Sequence, residues 1–461
     1  MIEGSTKSES DIPLYLFTYN CNKRVIDANV FKSKVSQSLP PKDNPSHLYV
    51  FALQEFCTIL DGSFKASANQ QLIAYNELLQ VMLFEEYGTD HFQTIAINHT
   101  GAVGLIIITP YPLKFQNVRL ANTSCGYGYS SMKGGVGVRL RYYPEGKYGD
   151  NSVELSFAGI HLNAYEGEYY YLQRNANLLR IVRSLDFGDG YGLIKPNNHV
   201  FILGDLNYRT TKEYKKTSVV AQNLLSLADQ HSEFDTEYVN QLFVQYDELH
   251  NALKNGEVLF GFSEGKIDFK PSYKYYLNTG IYNSKRCPSW CDRILFLSTY
   301  ETTGNDDLGL QLLRAKGKDS KQKNEGLPVV GKYDCIDELL LSDHRPVFAH
   351  IDIPFAPPKL IISPMSGCLE IVSTGLTLDE SFSGFEQLQG IDNNTHIESG
   401  PTSIYLKPTK LDLLIHTLVT PFMDTTIGYG LWFGTTSEGR LVLLIFALLC
   451  FSLWYLVYVV E

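Results

Sequence analysis

Residues 441–460 read LVLLIFALLCFSLWYLVYVV, twenty consecutive positions without a charge. At about 1.5 Å of rise per residue this run makes a helix of about 30 Å, the thickness of a bilayer's hydrocarbon core. A core helix of a water-soluble domain needs one apolar stripe, not an apolar surface all round. The run therefore predicts a membrane span. Only Glu461 follows it, so the expectation is a tail anchor that inserts after synthesis, with everything upstream in the cytosol. Arg440 is the single basic flank, and the run contains Phe446, Phe451, Trp454, Tyr455 and Tyr458. That composition favours the endoplasmic reticulum membrane over the mitochondrial outer membrane, whose tails carry more basic flanks.

The 440 residues upstream have a different character. The whole chain is 19% charged with a net charge of −11, which argues against a general nucleic-acid binder. MIEGSTKSESDIP at the N-terminus is polar and has no apolar signal-peptide core. The eight cysteines form no paired CxxC framework; Cys287 and Cys291 are four apart without a second ligand pair, so no zinc site is expected. Scattered thiols fit a reducing compartment.

Short β-type runs alternate with helical stretches between Leu14 and about Pro354. LYLFTY, LYVFAL, VGLIIIT, GVGVRLRY, VELSFAGIHL, HVFILGDLN and DRILFLS are the strand candidates, and 70–86, 168–185, 212–230 and 236–255 the helix candidates. Polar residues close the strands, the pattern of an α/β enzyme whose site lies at strand ends. The segment 302–341 reads as a polar, mobile loop. Within it Arg314, Lys316, Lys318, Lys321 and Lys323 admit two readings, a solvated loop or attraction to anionic headgroups. The segment 357–440, rich in Ser, Thr, Gly and Pro, reads as a partly disordered polar linker with some helix near 410–420. The expected organisation is a flexible 1–12, a catalytic domain over 13–356, the linker over 357–440 and the span over 441–460.

Five polar clusters carry candidate chemistry: Asn20; Glu55 after Gln54; His161; Asp205 with Asn207 in GDLNYR; and Asp343 with His344 in SDHRPV. Carboxylates with amide oxygens suit a hard cation such as Mg²⁺. Histidines with carboxylate partners suit proton handling and stabilisation of phosphate oxygens. Each cluster alone is a weak signal, because an exposed Asp or His at a strand end is usually an ordinary loop residue. The combination carries the case.

PSWCDRIL at 288–295, SDHRPV at 342–347, FILGDLNYR at 201–209 and PSYKY at 271–275 resemble the motifs of the inositol polyphosphate 5-phosphatases. The likeness extends from about Leu14 to Ile353. It implies the four-layer α/β sandwich of the Mg²⁺-dependent endonuclease/exonuclease/phosphatase superfamily, here followed by a transmembrane helix. A catalytic domain with a hydrophobic tail resembles the family's fungal members anchored in the endoplasmic reticulum, which remove the 5-phosphate from phosphatidylinositol 4,5-bisphosphate to give phosphatidylinositol 4-phosphate.

The resemblance also implies roles. Glu55 would hold Mg²⁺, with Asn20 placing metal or phosphate. Asp205 would be the general base and Asn207 would orient water or a phosphate oxygen. His161 and His344 would contact the scissile phosphate, with Asp292 orienting His344. Asp343 would support the metal or the His161 side. Tyr273, Lys274 and Arg293 would bind the neighbouring 4-phosphate. Arg209 would do phosphate or structural work, and Lys133 would lie near the 1-phosphate. Met132 stands where the family usually has Asn, and Tyr19 where a Trp is common. Two other readings remain: another superfamily phosphodiesterase, such as a neutral sphingomyelinase or a nuclease, or a non-catalytic phosphoinositide-binding tether. The expected partners are the lipid substrate and a membrane; the sequence names no protein partner.

Overall fold

The computed structural model describes residues 11–24, 26–144, 146, 152–195, 197–210, 218–227, 235–259, 261–299, 328–353, 368–371, 402–405 and 407–459. Two six-stranded sheets dominate it. The first is built from β1 (Ile12–Asn20), β2 (Leu48–Gln54), β3 (Gln93–Thr100), β4 (Val103–Thr109), β11 (Val329–Cys335) and β12 (Val347–Ile353), in the order β11-β12-β1-β2-β4-β3. The second is built from β5 (Phe115–Ser124), β6 (Gly134–Tyr142), β7 (Val153–His161), β8 (His199–Asp205), β9 (Ser263–Glu264) and β10 (Asp292–Ser298), in the order β5-β6-β7-β8-β10-β9.

Each sheet has one parallel pair, β1 with β2 and β7 with β8, and its other pairs are antiparallel. A parallel pair needs a crossover. Helix α1 (Ala28–Val35) lies in the first and α4 (Glu168–Ser184) in the second. Side chains alternate across each strand, and the sequence uses the alternation to make three apolar layers. Leu14, Leu16, Leu48 and Val50 face Val138, Leu155, Phe157 and Leu203 between the sheets. Tyr15, Phe17, Tyr49 and Phe51 pack under α1 and α3 (Lys65–Tyr87). Ile160, Val200 and Ile202 pack under α4. The result is the expected four-layer α/β sandwich.

The structure departs from the sequence reading in three places. The helix expected over 236–255 is broken at Asp247. Its carboxylate accepts from the His250 amide at 2.7 Å and so caps Glu248–Lys254 as a separate helix after Thr236–Tyr246. The stretch 302–341, expected to be loop, ends in strand β11, an edge strand with exposed Val329; the basic cluster 314–323 lies outside the described residues. The same departure covers β3, β5, β9 and β12, strands that the sequence reading did not name.

The third departure is in the segment expected as linker. Residues 410–435 are helical: α8 (Lys410–Leu414), a π-turn over Ile415–Val419 and α9 (Thr420–Thr435). They lie against the sandwich rather than away from it. After Thr436, whose hydroxyl accepts from the Gly439 amide, comes α10 (Ser437–Tyr458). Among the described residues α10 is the one helix long and apolar enough to cross a membrane, with a mean hydropathy of 2.5 over its best window and none of that window buried.

Candidate active site

The C-terminal ends of the two parallel pairs meet at one end of the sandwich. In register, Asn20 lies beside Gln54, and His161 beside Asp205, which in turn lies beside Asp292. The Asn20 Nδ2 donates to Asp205 Oδ2 at 2.9 Å and joins the two sheets there. Gly204 permits the close approach of β8 to β7, since a Cβ at that position would lie 1.9 Å from the Ile160 carbonyl oxygen.

Asp205 is the hub. Its Oδ2 lies 3.2 Å from His161 Nε2 and 3.9 Å from His344 Nε2, and its Oδ1 accepts from the Asn207 amide at 3.1 Å. Burial opposes its charge, but His344, His161 and Lys133 outweigh burial and hold the carboxyl well below the usual range. His344 Nδ1 lies 2.9 Å from Asp292 Oδ2, which also accepts from Ser272 Oγ at 2.7 Å. Burial opposes charge on His344 too, yet Asp292 and then Asp205 raise its imidazole to about 9. His161 goes the other way: burial first, then Lys133, lowers it. The site thus holds one charged and one neutral imidazole at neutral pH.

Glu55 follows β2 at φ +48°, a left-handed conformation that costs a non-glycine residue about 1–2 kcal/mol. Its carboxylate lies 3.1 Å from Lys23, 3.9 Å from His161 and 4.0 Å from Lys133. Burial raises its pKa, but His161, Lys133 and Lys23 prevail and lower it. The Lys133 ammonium rests against the His161 ring. Glu55 and Asn20 line the same cavity, and a carboxylate with an amide oxygen is the hard-oxygen donor type that a small divalent cation takes; the Asn20 Oδ1 also accepts from the Asn22 amide at 3.0 Å. Asp205, Asp292 and His344 form a tighter group, but the His344 Nδ1 is engaged by Asp292, which suits proton positioning.

Asn20, Glu55, His161, Asp205 and His344 line a cavity of about 800 Å³ with Asn207, Arg209, Tyr273, Lys274, Asp343 and Lys133, and Asp292 stands behind His344. Arg209 is buried and its guanidinium lies over the Tyr273 ring, 4.6 Å from the centroid. One of its nitrogens donates to Asn207 Oδ1; Nε and Nη1 have no hydrogen-bond partner among the described residues. Arg209 is thus a buried cation in the cavity wall, stacked on Tyr273 and fixed by Asn207. Lys274 donates to Asp343 Oδ2 at 2.7 Å. Asp343, expected to support the metal or the His161 side, is thus engaged by Lys274.

Arg293 is the clear correction. It was expected on a phosphate, but it is fully buried and does not line the cavity. It lies 2.8 Å from Asp247 and is paired with Glu264. Strand alternation explains this: Asp292 points to the site, so its neighbour points away. Arg286 is the residue that sequence reasoning missed. It lines the cavity with Lys274, is partly exposed and lies 3.5 Å from Glu166. The signal was a basic pair, Lys285-Arg286, just before the PSWCDR motif.

The endonuclease/exonuclease/phosphatase family 2 model matches residues 17–350, and the chain belongs to that family. Within it, this is a member of the inositol polyphosphate 5-phosphatase family. It is 25% identical to rat (Rattus norvegicus) synaptojanin-2 over 323 residues, 67% of this chain and 19% of that protein. It is also 25% identical to the polyphosphatidylinositol phosphatase INP53 of Saccharomyces cerevisiae over 349 residues, 74% of this chain and 26% of that one. The chain thus matches about a fifth to a quarter of these relatives' length. Its fold resembles the crystal structure of the inositol polyphosphate 5-phosphatase domain of SPsynaptojanin with inositol (1,4)-bisphosphate and calcium ion. The TM-score is 0.54 at 21% identity, covering 74% of this chain and 84% of that one.

Proposed function

We propose that this chain removes the 5-phosphate of phosphatidylinositol 4,5-bisphosphate and leaves phosphatidylinositol 4-phosphate. The observation that carries the reading is a cavity with two anion-receiving regions. One is the Glu55–His161–Asp205–His344 group. The other is the wall of Tyr273, Lys274 and Arg286, where a second phosphate on the same ring would be held. Fixing that phosphate orients the first for attack. A choline ester offers nothing to Lys274 and Arg286, which disfavours a sphingomyelinase.

The residues divide the work. Asp205, ionised and within reach of both imidazoles, takes the proton of the attacking water. Asn207 holds Asp205 Oδ1 through its amide and keeps Arg209 in place. The charged His344 receives phosphoryl oxygens, where charge must be stabilised in the transition state, and the buried Arg209 guanidinium adds positive charge behind Asn207 and Tyr273. Asp292 keeps His344 charged and oriented. Glu55, with Asn20, would hold Mg²⁺, which when bound acts as a Lewis acid on the phosphoryl group. Lys133, expected near the 1-phosphate, instead stands within the catalytic group, its ammonium against the His161 ring and 4.0 Å from Glu55. Helix α10 is the tail anchor, and we assign it to the endoplasmic reticulum membrane with the 13–356 domain in the cytosol.

The reading is tested by phosphate release from a panel of phosphoinositides and soluble inositol phosphates, with Mg²⁺ and with EDTA, on protein truncated before Leu441. Hydrolysis of the 4,5-bisphosphate with retention of the 4-phosphate is expected. Release of phosphocholine or nucleotides instead would reject it.

A further inference from the structure

Residues 410–435 present two unlike faces. The inward face is mostly polar and small, with Ile415 and Met423 as its apolar members. Asp412 accepts from Arg183 Nε at 3.1 Å and Nη2 at 3.0 Å, a two-point pair with α4. Thr420 Oγ1 donates to the Tyr129 carbonyl at 2.8 Å, and Asp424 Oδ1 accepts from the Ser131 amide at 2.7 Å. Gly428 lies against Ser63 and Phe64, where a Cβ would meet atoms at 3.0 Å. Thr420, Asp424 and Gly428 are spaced by four, one face of a helix.

The other face is apolar and turned outward. Leu411, Leu418 and Phe422 are 62%, 63% and 68% exposed, and Leu413 and Leu414 are exposed too. Soluble helices are built the other way round, with the apolar stripe inward. An outward apolar stripe needs a cover, and the chain itself indicates which. Helix α9 ends one residue before α10, the candidate membrane span. Asp424 is thirteen residues from the start of that span, about 20 Å along a helix. A surface tied so closely to a bilayer has that bilayer as its neighbour, and an outward apolar face at this height suits the boundary between headgroups and acyl chains.

What the inward face grips is the rim of the active site. Tyr127, Gly128, Ser131 and Met132 line the cavity. Met423 packs against Gly128, where an added Cβ would lie 2.4 Å from its methyl, and Asp424 holds the Ser131 amide. We propose that residues 410–435 form an interfacial strut, apolar face in the membrane surface and polar face on the cavity rim. The strut fixes the catalytic cavity at one height and orientation over the bilayer in which the chain is anchored. The enzyme then draws lipid from its own membrane and works poorly on an opposing one. The proposal about substrate supply rests on the phosphatase reading; the placement of the helix does not.

The test uses the full chain in vesicles of phosphatidylcholine, with and without phosphatidylinositol 4,5-bisphosphate. An environment-sensitive fluorophore is placed at Phe422→Cys in a Cys450→Ser background, with nitroxide lipids as quenchers. Quenching by headgroup-proximal nitroxides is expected. A solvent-like, unquenched probe would overturn the strut whatever the activity. The second arm compares substrate in the enzyme's own vesicles with substrate in a second vesicle population. Own-vesicle turnover is expected to exceed the other by about tenfold or more, and the Leu418→Glu/Phe422→Glu double variant should lose that margin, since it forfeits burial of two large apolar side chains. It should keep its turnover of soluble inositol polyphosphate. Equal turnover of the two vesicle populations by the unaltered protein would overturn the proposal. Inactivity on all substrates with a quenched probe would reject the phosphatase reading and leave the strut standing.

Discussion

His344 Nδ1 lies 2.9 Å from Asp292 Oδ2, and this pair sets the protonation of the site. The two residues come from motifs more than fifty positions apart. Their pairing raises the His344 imidazole to about 9, so it is charged through the neutral range. The folded value is above the ordinary value of a free imidazole. Its contribution to stability is therefore complete below about pH 6.5 and is lost as pH rises through about 9. Turnover that depends on the charged ring should fall along the same alkaline limb. Asp292→Asn keeps the shape and removes the attraction, so the limb should move to lower pH. A kcat–pH profile that is unchanged in this variant would reject the pairing as the cause.

Asp205→Asn should lower kcat by about 10²–10⁴, the range of a lost general base. Circular dichroism checks that the fold survives, because the variant also removes the negative partner of His161, His344 and Lys133. Activity near that of the unaltered protein would move the base elsewhere.

Lys274 and Arg286 line the cavity, whereas Arg293 does not. Lys274→Ala and Arg286→Ala should each reduce kcat/KM on a 4,5-bisphosphate more than on an analogue lacking the 4-phosphate. The difference should be about tenfold or more, since a charge-assisted hydrogen bond contributes about 1.5–3 kcal/mol. Equal losses on the two substrates would remove both residues from the 4-phosphate.

Arg293→Ala should behave differently. It strands Asp247 and Glu264, and breaking a buried pair costs about 3–5 kcal/mol. Denaturant unfolding should register that loss, while the ratio of turnover on the two substrates stays as it was. A changed ratio with unchanged stability would restore the substrate role.

Deleting residues 441–461 should free the protein from membranes without loss of turnover on a soluble inositol phosphate, because α10 is exposed and the site lies in the sandwich. Membrane retention after an alkaline wash would mean that the apolar face of residues 410–435 holds the chain there unaided.

Much of this architecture was legible in the chain. Strands β1, β2, β4, β6, β7, β8 and β10 were readable as apolar runs, because buried strands in a two-sheet sandwich are apolar on both faces. The polar residues that close them located the site. Edge strand β11 was not readable, since its burial follows no alternation: Tyr333 alone is buried and the register shifts between Val330 and Lys332. Arg293 was misassigned because a motif records neighbours along the chain, while strand pleating sends adjacent side chains to opposite faces. Helix α9 was hidden for a different reason. Its docking face consists of Thr420, Asp424 and Gly428, residue types that read as linker until the rim of Tyr129 and Ser131 supplies their partners.

The proposed activity is positional: one cavity removes the 5-phosphate while the Lys274–Arg286 wall keeps the 4-phosphate. It is tested most directly by incubating the purified domain with phosphatidylinositol 4,5-bisphosphate and Mg²⁺ and identifying the lipid product by chromatography. The account predicts phosphatidylinositol 4-phosphate with one equivalent of inorganic phosphate, and no product in EDTA. Phosphatidylinositol 5-phosphate as the product, or undiminished turnover in EDTA, would contradict it.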